Sequence, residues 1–355
     1  MGEKVLMKGN EALAEAAIVA GCKHFFGYPI TPQTEVAAYM SKRLPKIGGV
    51  YLQAESEVAS INMVLGASAS GVRVMTSTSS PGLSLMSEGI SYIAGSDLPA
   101  LIINVQRGGP GLGGIQPSQA DYWQATRSSG HGDFHMLVFA PSTVQEMVDL
   151  VSDAFTLGDK YRMPAMILSD GMLGQMMEPV VIPESRNDEP PEKSWAACGH
   201  QNEREHNVVN SLYIEPHVLE DLVRERFEKY SEIKRTEQRA EEYMMDDAEI
   251  VIVAYGASSR VSRSAIDTAR KEGIKVGMIR PITLWPYPDK YIGEAIPKAK
   301  VFLVVEMSMG QMIDDVKLAV NGERPVEFYG RTGGVIPTPR EIHQKVMELA
   351  EGVKQ

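Results

Sequence analysis

An α/β fold built from two doubly wound parallel-sheet domains is predicted for this chain of 355 residues by three observations. Short runs rich in Val, Ile, Phe and Tyr alternate with longer segments whose apolar residues recur every three or four positions, the pattern of strands joined by crossover helices. The alternation lapses after residue 183, in the Pro-rich, charged "PESRNDEPPEKSW", and resumes at "EIVIVAYG". The length accommodates two cores at roughly 100 to 200 residues each.

In chain order, strands are expected in "KHFFGYP", "GVYLQA", "VRVMTSTS", "ALIINVQR", "MLVFAPS" and "PAMILSD". Helices are expected in "TEVAAYMSKRL", "EVASINMVLGASAS", "GLSLMSEGISYIAG" and "STVQEMVDLVSDAFTLGDKY", which carry the apolar spacing of one buried face. Residues 201–246 read as a charged stretch with one long surface helix over "HVLEDLVRERFEKYSEIKRTEQRAEEYM". A second alternating unit runs through "EIVIVAYG", "SRSAIDTARKEG", "KVGMIRPITLWP" and "KVFLVVEMS" to a helix in "PREIHQKVMELAEG". The expected units are residues 1–185, a linker with a helix at 186–246, and residues 247–355. No tandem repeat is evident.

The net charge of -11, with both signs interspersed, argues against a nucleic-acid footprint or a basic membrane-binding face. No apolar run approaches the roughly 20 residues of a membrane span, and the first residues lack the apolar core of a signal peptide. Cys22 and Cys198 form no disulfide framework and are too few to hold a four-cysteine iron-sulfur cluster. A reducing cytoplasm is the expected compartment. Cys198, His200 and His206 lack a fourth ligand at zinc spacing, and the 20 methionines read as core filler. His131 and His135 in "GHGDFH" suit a loop or core position better than a substrate contact.

In a parallel sheet the loops after each strand converge on the ligand side. In the first, "GYPITPQTEV", two prolines restrain Tyr28, Pro29 and Thr31 ahead of a helix, so the Thr31 hydroxyl is either a fixed ligand group or, with Thr34, a helix cap. The second, "QAESEV", offers Glu55 and Glu57, each suited to a helix N-terminus and each a candidate for acid chemistry. The third, "STSSPGLS", supplies Ser and Gly for an anion or a cap. The fourth, "VQRGGPGLGGIQPSQAD", places Arg107 before a glycine-rich loop, where a planar fork meets backbone that permits close approach; a solvated arginine on a flexible loop is the alternative. It is not a dinucleotide fingerprint, because no helix pattern opens directly after the glycines.

"GYPITPQTEV", "QAESEVASINMVLGAS", "TSSPGLSLMSEGI", "QRGGPGLGG" and "RPITLWPYP", in this order along nearly the whole chain, resemble the α-type subunit of the 2-oxoacid:ferredoxin oxidoreductases. The resemblance implies a thiamine diphosphate pyrimidine-binding domain followed by a transketolase C-terminal-like domain. It implies that Glu57, with Glu55 as its rival, hydrogen-bonds the aminopyrimidine, that Tyr28 and Pro29 approach the same ring, and that Thr31 and Arg107 bind the 2-oxoacid. No metal ligand is assigned to this chain. A β-type subunit would hold the diphosphate, Mg2+ and an iron-sulfur cluster, with γ-type and ferredoxin-like subunits, ferredoxin as electron acceptor and coenzyme A as co-substrate. "RGGPGLGGIQPSQADYWQ" is more similar to members acting on branched-chain 2-oxoacids such as 2-oxoisovalerate than to those acting on 2-oxoglutarate. The α subunit of a 2-oxoglutarate:ferredoxin oxidoreductase is the close alternative, and a lipoamide-linked or transketolase-like half-enzyme and a non-catalytic assembly subunit are the others.

Overall fold

In the computed structural model residues 3–127, 129–184 and 191–353 are described, so residues 185–190 of the Pro-rich linker lie outside the described residues. Seven strands make the first sheet, in the order Thr283–Trp285, Leu137–Phe139, Ala165–Asp170, Leu101–Gln106, Val74–Thr78, His24–Gly27, Val50–Gln53. All neighbours are parallel except the first pair. The two central strands, Leu101–Gln106 and Ala165–Asp170, pair along their full lengths and are buried at every position, as strands covered on both faces must be. Chain direction across the sheet reverses between His24–Gly27 and Val74–Thr78, which opens a crevice beyond their carboxyl ends.

The second sheet has the order Val326–Gly330, Val301–Glu306, Ile250–Val253, Val276–Pro281, Ala240–Tyr243, with only the last strand antiparallel. Helices Gly256–Lys271 and Pro339–Val353 pack together on one of its faces. Ten methionines, among them Met40, Met75, Met86, Met166 and Met278, are buried, in keeping with their reading as filler. No helix among the described residues is long and apolar enough to cross a membrane.

Three local expectations are corrected. The long helix spans Pro216–Thr236 rather than continuing through "EEYM"; Ala240–Tyr243 is a strand, fixed by the ion pairs of Glu241 with Arg263 and Arg280. The segment "KVGMIRPITLWP" is two strands in two sheets. Ile282 and Thr283 donate to the Arg239 carbonyl (2.9 and 3.1 Å), and the chain then crosses so that Thr283–Trp285 becomes the antiparallel edge of the first sheet. Finally, an antiparallel pair of Lys4–Lys8 with Met177–Val181 and the helix Gly9–Val19 were not anticipated; that helix is rich in alanine and has a weak amphipathic pattern.

The two sheets are joined through the buried side chain of Gln119. Its amide donates to the Tyr255 carbonyl (2.8 Å), and its oxygen accepts from Ser258 Oγ (2.6 Å) and Met307 N (3.0 Å). Asp170 sits at the same seam. Its Oδ1 caps the helix Gly171–Gln175 through the N–H groups of Met172 and Leu173 (2.8 and 3.1 Å). Burial pushes its carboxyl up to about 6, against the opposing hydrogen bonds of Leu173, Met172 and Ala257 and the charge of Arg260.

Candidate active site

The loops at the crevice bring Thr31, Glu57 and Arg107 to the same end of the sheet. Thr31 follows the strand His24–Gly27, in a turn held by neither proline alone. Buried Gln33 is the N-cap residue of helix Thr34–Arg43. It donates to the Tyr28 carbonyl (3.2 Å) and accepts from Ser77 Oγ (2.6 Å), while Asn10 donates to the Pro32 carbonyl (2.8 Å). No side chain caps this helix, so the capping alternative for Thr31 and Thr34 is set aside: Thr31 is exposed, and the Thr34 hydroxyl turns back to the Ile30 carbonyl (3.5 Å). Tyr28 is half-buried and Pro29 exposed, on the same turn.

The two glutamates separate cleanly. Ser56 has extended backbone and its hydroxyl accepts from Ala59 N (3.2 Å), which starts helix Glu57–Ala69 and makes Glu57 its first residue. Glu55 is exposed, whereas Glu57 is only 5% exposed and accepts no hydrogen bond from any described residue. Its side chain lies over Gly82, in the first turn of helix Ser80–Gly95: a Cβ at Gly82 would stand 2.6 Å from Glu57 Oε1 and 2.1 Å from Thr78 Oγ1. The Thr78 hydroxyl is buried and has no partner either. A carboxylate taken from water normally acquires donors. The carboxylate packs this closely over the helix start because Gly82 carries no side chain.

Arg107 ends the central strand. Its guanidinium donates from one terminal nitrogen to the Thr31 carbonyl (2.9 Å) and from the other to the Leu112 carbonyl (3.3 Å), leaving Nε buried without a partner. The glycine-rich loop is no slack connection. Gly114 N donates to the Gly108 carbonyl (2.8 Å) and Gly108 N to the Gln116 carbonyl (3.0 Å). Gly113, at φ +55°, stands where a Cβ would strike the Gly108 carbonyl at 1.8 Å, so this close approach requires glycine. The loop tip presents Leu112 and Ile115 to solvent.

Ser80, Asn104 and Asp121 hold Arg107 from below, the last two not anticipated from sequence. Ser80 Oγ donates to Asp121 Oδ2 (2.6 Å) and accepts from Arg107 N (3.0 Å), and Asn104 Nδ2 donates to the same Asp121 oxygen (2.9 Å). Burial pushes the Asp121 carboxyl up, opposed by these two donors and the Arg107 charge. Asp121 carried a usable signal, an aspartate directly before an apolar helix start, but it braces the arginine loop instead of capping that helix. Ser77 and Ser80 of "STSSPGLS" thus brace the site from within. His135 is stacked on Trp285 (4.7 Å between ring centres) and packed against Tyr230, away from this crevice, and Cys198 and His200 lie on the linker surface. A cleft of about 560 Å³ lined by His135, Trp285, Tyr287 and Asp315 also stands apart from these loops.

Comparison with known proteins identifies the family. Residues 15–245 match the family described as pyruvate flavodoxin/ferredoxin oxidoreductase, thiamine diP-bdg, and residues 248–342 match pyruvate:ferredoxin oxidoreductase core domain II. The chain is 51% identical over 97% of its length to the ketoisovalerate oxidoreductase subunit VorB of Methanothermobacter marburgensis, of which it covers 97%. It is 37% identical to the 2-oxoglutarate synthase subunit KorA of Methanocaldococcus jannaschii, over 96% of this chain and 98% of that one. Among solved structures, the 2-oxoglutarate:ferredoxin oxidoreductase from Magnetococcus marinus with 2-oxoglutarate, coenzyme A and succinyl-CoA bound superposes with a TM-score of 0.85 at 31% identity, over 98% of this chain. This chain spans 65% of that one. A split-gene transketolase, 15% identical with a TM-score of 0.62, shares the fold. With a family match across both sheets and relatives this similar over its whole length, the chain belongs to the thiamine-dependent 2-oxoacid:ferredoxin oxidoreductases.

Proposed function

We propose that this chain is the α-type subunit of an enzyme that oxidatively decarboxylates a branched-chain 2-oxoacid, 2-oxoisovalerate foremost, to the acyl-coenzyme A and passes the electrons to ferredoxin. The observation that carries the reading is the convergence of Arg107 on Thr31 at the crevice lined by buried, unpartnered Glu57. The residues fit the cofactor: Glu57, buried and accepting no hydrogen bond from another described residue, would hold the aminopyrimidine together with Tyr28 and Pro29 of the turn that follows His24–Gly27. Thiamine diphosphate, when bound, supplies a carbon nucleophile for the ketone and an acceptor for the electron pair left by departing carbon dioxide.

Within that chemistry Glu57 would hold a proton at the pyrimidine nitrogen, screened from water by its burial. Arg107 would take the substrate carboxylate, for which its fork and unpartnered Nε are suited, and the exposed Thr31 hydroxyl would orient the same end. Leu112 and Ile115 at the loop tip favour an aliphatic substrate side chain over a second carboxylate. The names of the two relatives at 51% and 50% identity, both ketoisovalerate oxidoreductase subunits, support the same choice.

The same reading includes a cytoplasmic hetero-oligomer. A β-type subunit would supply the diphosphate and Mg2+ site and an iron-sulfur cluster, with γ-type and ferredoxin-like subunits beyond it. Exposed Val58, Leu85, Leu112 and Ile115, on the elements that carry the site, offer apolar surface for the β-type partner. Reconstitution tests the proposal: the chain with its β-type partner, thiamine diphosphate, Mg2+ and coenzyme A should reduce viologen fastest with 2-oxoisovalerate. Preference for 2-oxoglutarate would reassign the substrate. An intact complex with no turnover on any 2-oxoacid would refute the enzymatic reading.

A further inference from the structure

The reading above leaves the buried hydroxyl of Thr78 at the crevice without a task. Thr78 ends the strand Val74–Thr78, fully buried, and its hydroxyl has no hydrogen-bond partner. Such a group normally costs stability and is avoided unless something completes it. The nearest unsatisfied acceptor is Glu57: Thr78 Oγ1 and Glu57 Oε1 stand 2.1 and 2.6 Å from one point, the position that a Gly82 Cβ would occupy. A donor without an acceptor and a carboxylate without a donor therefore pack side by side against Gly82. The terminal torsion of a glutamate is broad, so a small rotation of the carboxylate closes the contact at little cost.

We propose that Thr78 is a positioning residue for Glu57: its hydroxyl donates to the Glu57 carboxylate in the loaded site and leaves the opposite lone pair aimed at the cofactor. Gly82 belongs to the same device, because any side chain there would displace the Thr78 hydroxyl and the Glu57 carboxylate. Chemistry alone requires no threonine at this position, since the hydroxyl acts only through Glu57. The inference rests on the assignment of Glu57 to the pyrimidine ring.

The test compares wild type with Thr78→Val, which keeps the shape and removes the hydroxyl, and Thr78→Ser, which keeps the hydroxyl. In the complex with the β-type partner, titration calorimetry with thiamine diphosphate and Mg2+ should show about tenfold weaker binding for the valine variant, the size of one hydrogen bond to a charged group. Serine should restore it to near wild type. The melting temperature of the full chain carrying Thr78→Val should match or exceed wild type, because an unsatisfied buried hydroxyl has been removed. In turnover, kcat should fall while KM for the 2-oxoacid is unchanged. Thr78→Ala should behave as valine does and serves if valine fails to fold. Equal cofactor binding by wild type and the valine and alanine variants overturns this inference alone, as does a serine variant as impaired as valine. A wild-type complex that binds no thiamine diphosphate overturns the functional reading and this inference with it.

Discussion

Arg107 and Thr31, 76 residues apart in the chain, meet through a 2.9 Å hydrogen bond from the guanidinium to the threonine's main-chain carbonyl. The bond uses the backbone, so the Thr31 hydroxyl stays free for a ligand while the arginine holds the turn that presents it. One residue therefore serves both as a candidate substrate ligand and as the brace of another.

Arg107→Ala should lower kcat/KM for the 2-oxoacid by about 100-fold, since it removes the carboxylate fork and releases the Thr31 turn together. Arg107→Lys should recover little of the loss, because one ammonium cannot reproduce a fork that reaches the Thr31 and Leu112 carbonyls at once. Steady-state kinetics on the reconstituted complex checks both.

Glu57→Gln should reduce turnover by about 100-fold or more, the scale of a lost proton-transfer group, with the fold intact by circular dichroism. The exposed Glu55 changed to Gln should cost less than about threefold, as a surface substitution remote from the buried site. The opposite ranking would place the working carboxylate at the helix entrance.

Asp170 should leave a signature in the acid stability profile. Its carboxyl is raised from 3.8 to about 6 in the folded chain, so between these values the folded state holds a proton that the unfolded state releases. Stability from this group is present below pH 4 and is lost as pH rises through 6. In urea titrations across this range, the advantage of wild type over Asp170→Asn should shrink by about 2–3 kcal/mol from the acid to the neutral end.

Gln119→Ala should destabilise the chain by about 3 kcal/mol, because it orphans Tyr255, Ser258 and Met307 groups that are buried at the seam. Thermal unfolding of the variant should remain a single transition, shifted down for both sheets alike. Two separated transitions would contradict the role of the seam.

The alternation of strands and helices was legible in the sequence because parallel strands covered on both faces are nearly continuous apolar runs, as in Leu101–Gln106. The strand Ala240–Tyr243 was not, since its Glu241 is satisfied by two arginines distant in sequence, Arg263 and Arg280, a tertiary effect that no local pattern records. The same contrast runs through the site. Thr31, Glu57 and Arg107 stood out because prolines, a helix start and glycines flank them. Gln33, Ser80 and Asp121, which hold those elements in place, are ordinary polar residues until burial gives each hydrogen bond its weight.

The strand Thr283–Trp285, contributed by the second unit, completes the first sheet as its outer edge. A jaw-like opening between the two units would have to tear that ladder, so the chain has no hinge there. Any movement that opens the crevice is left to the loops above it.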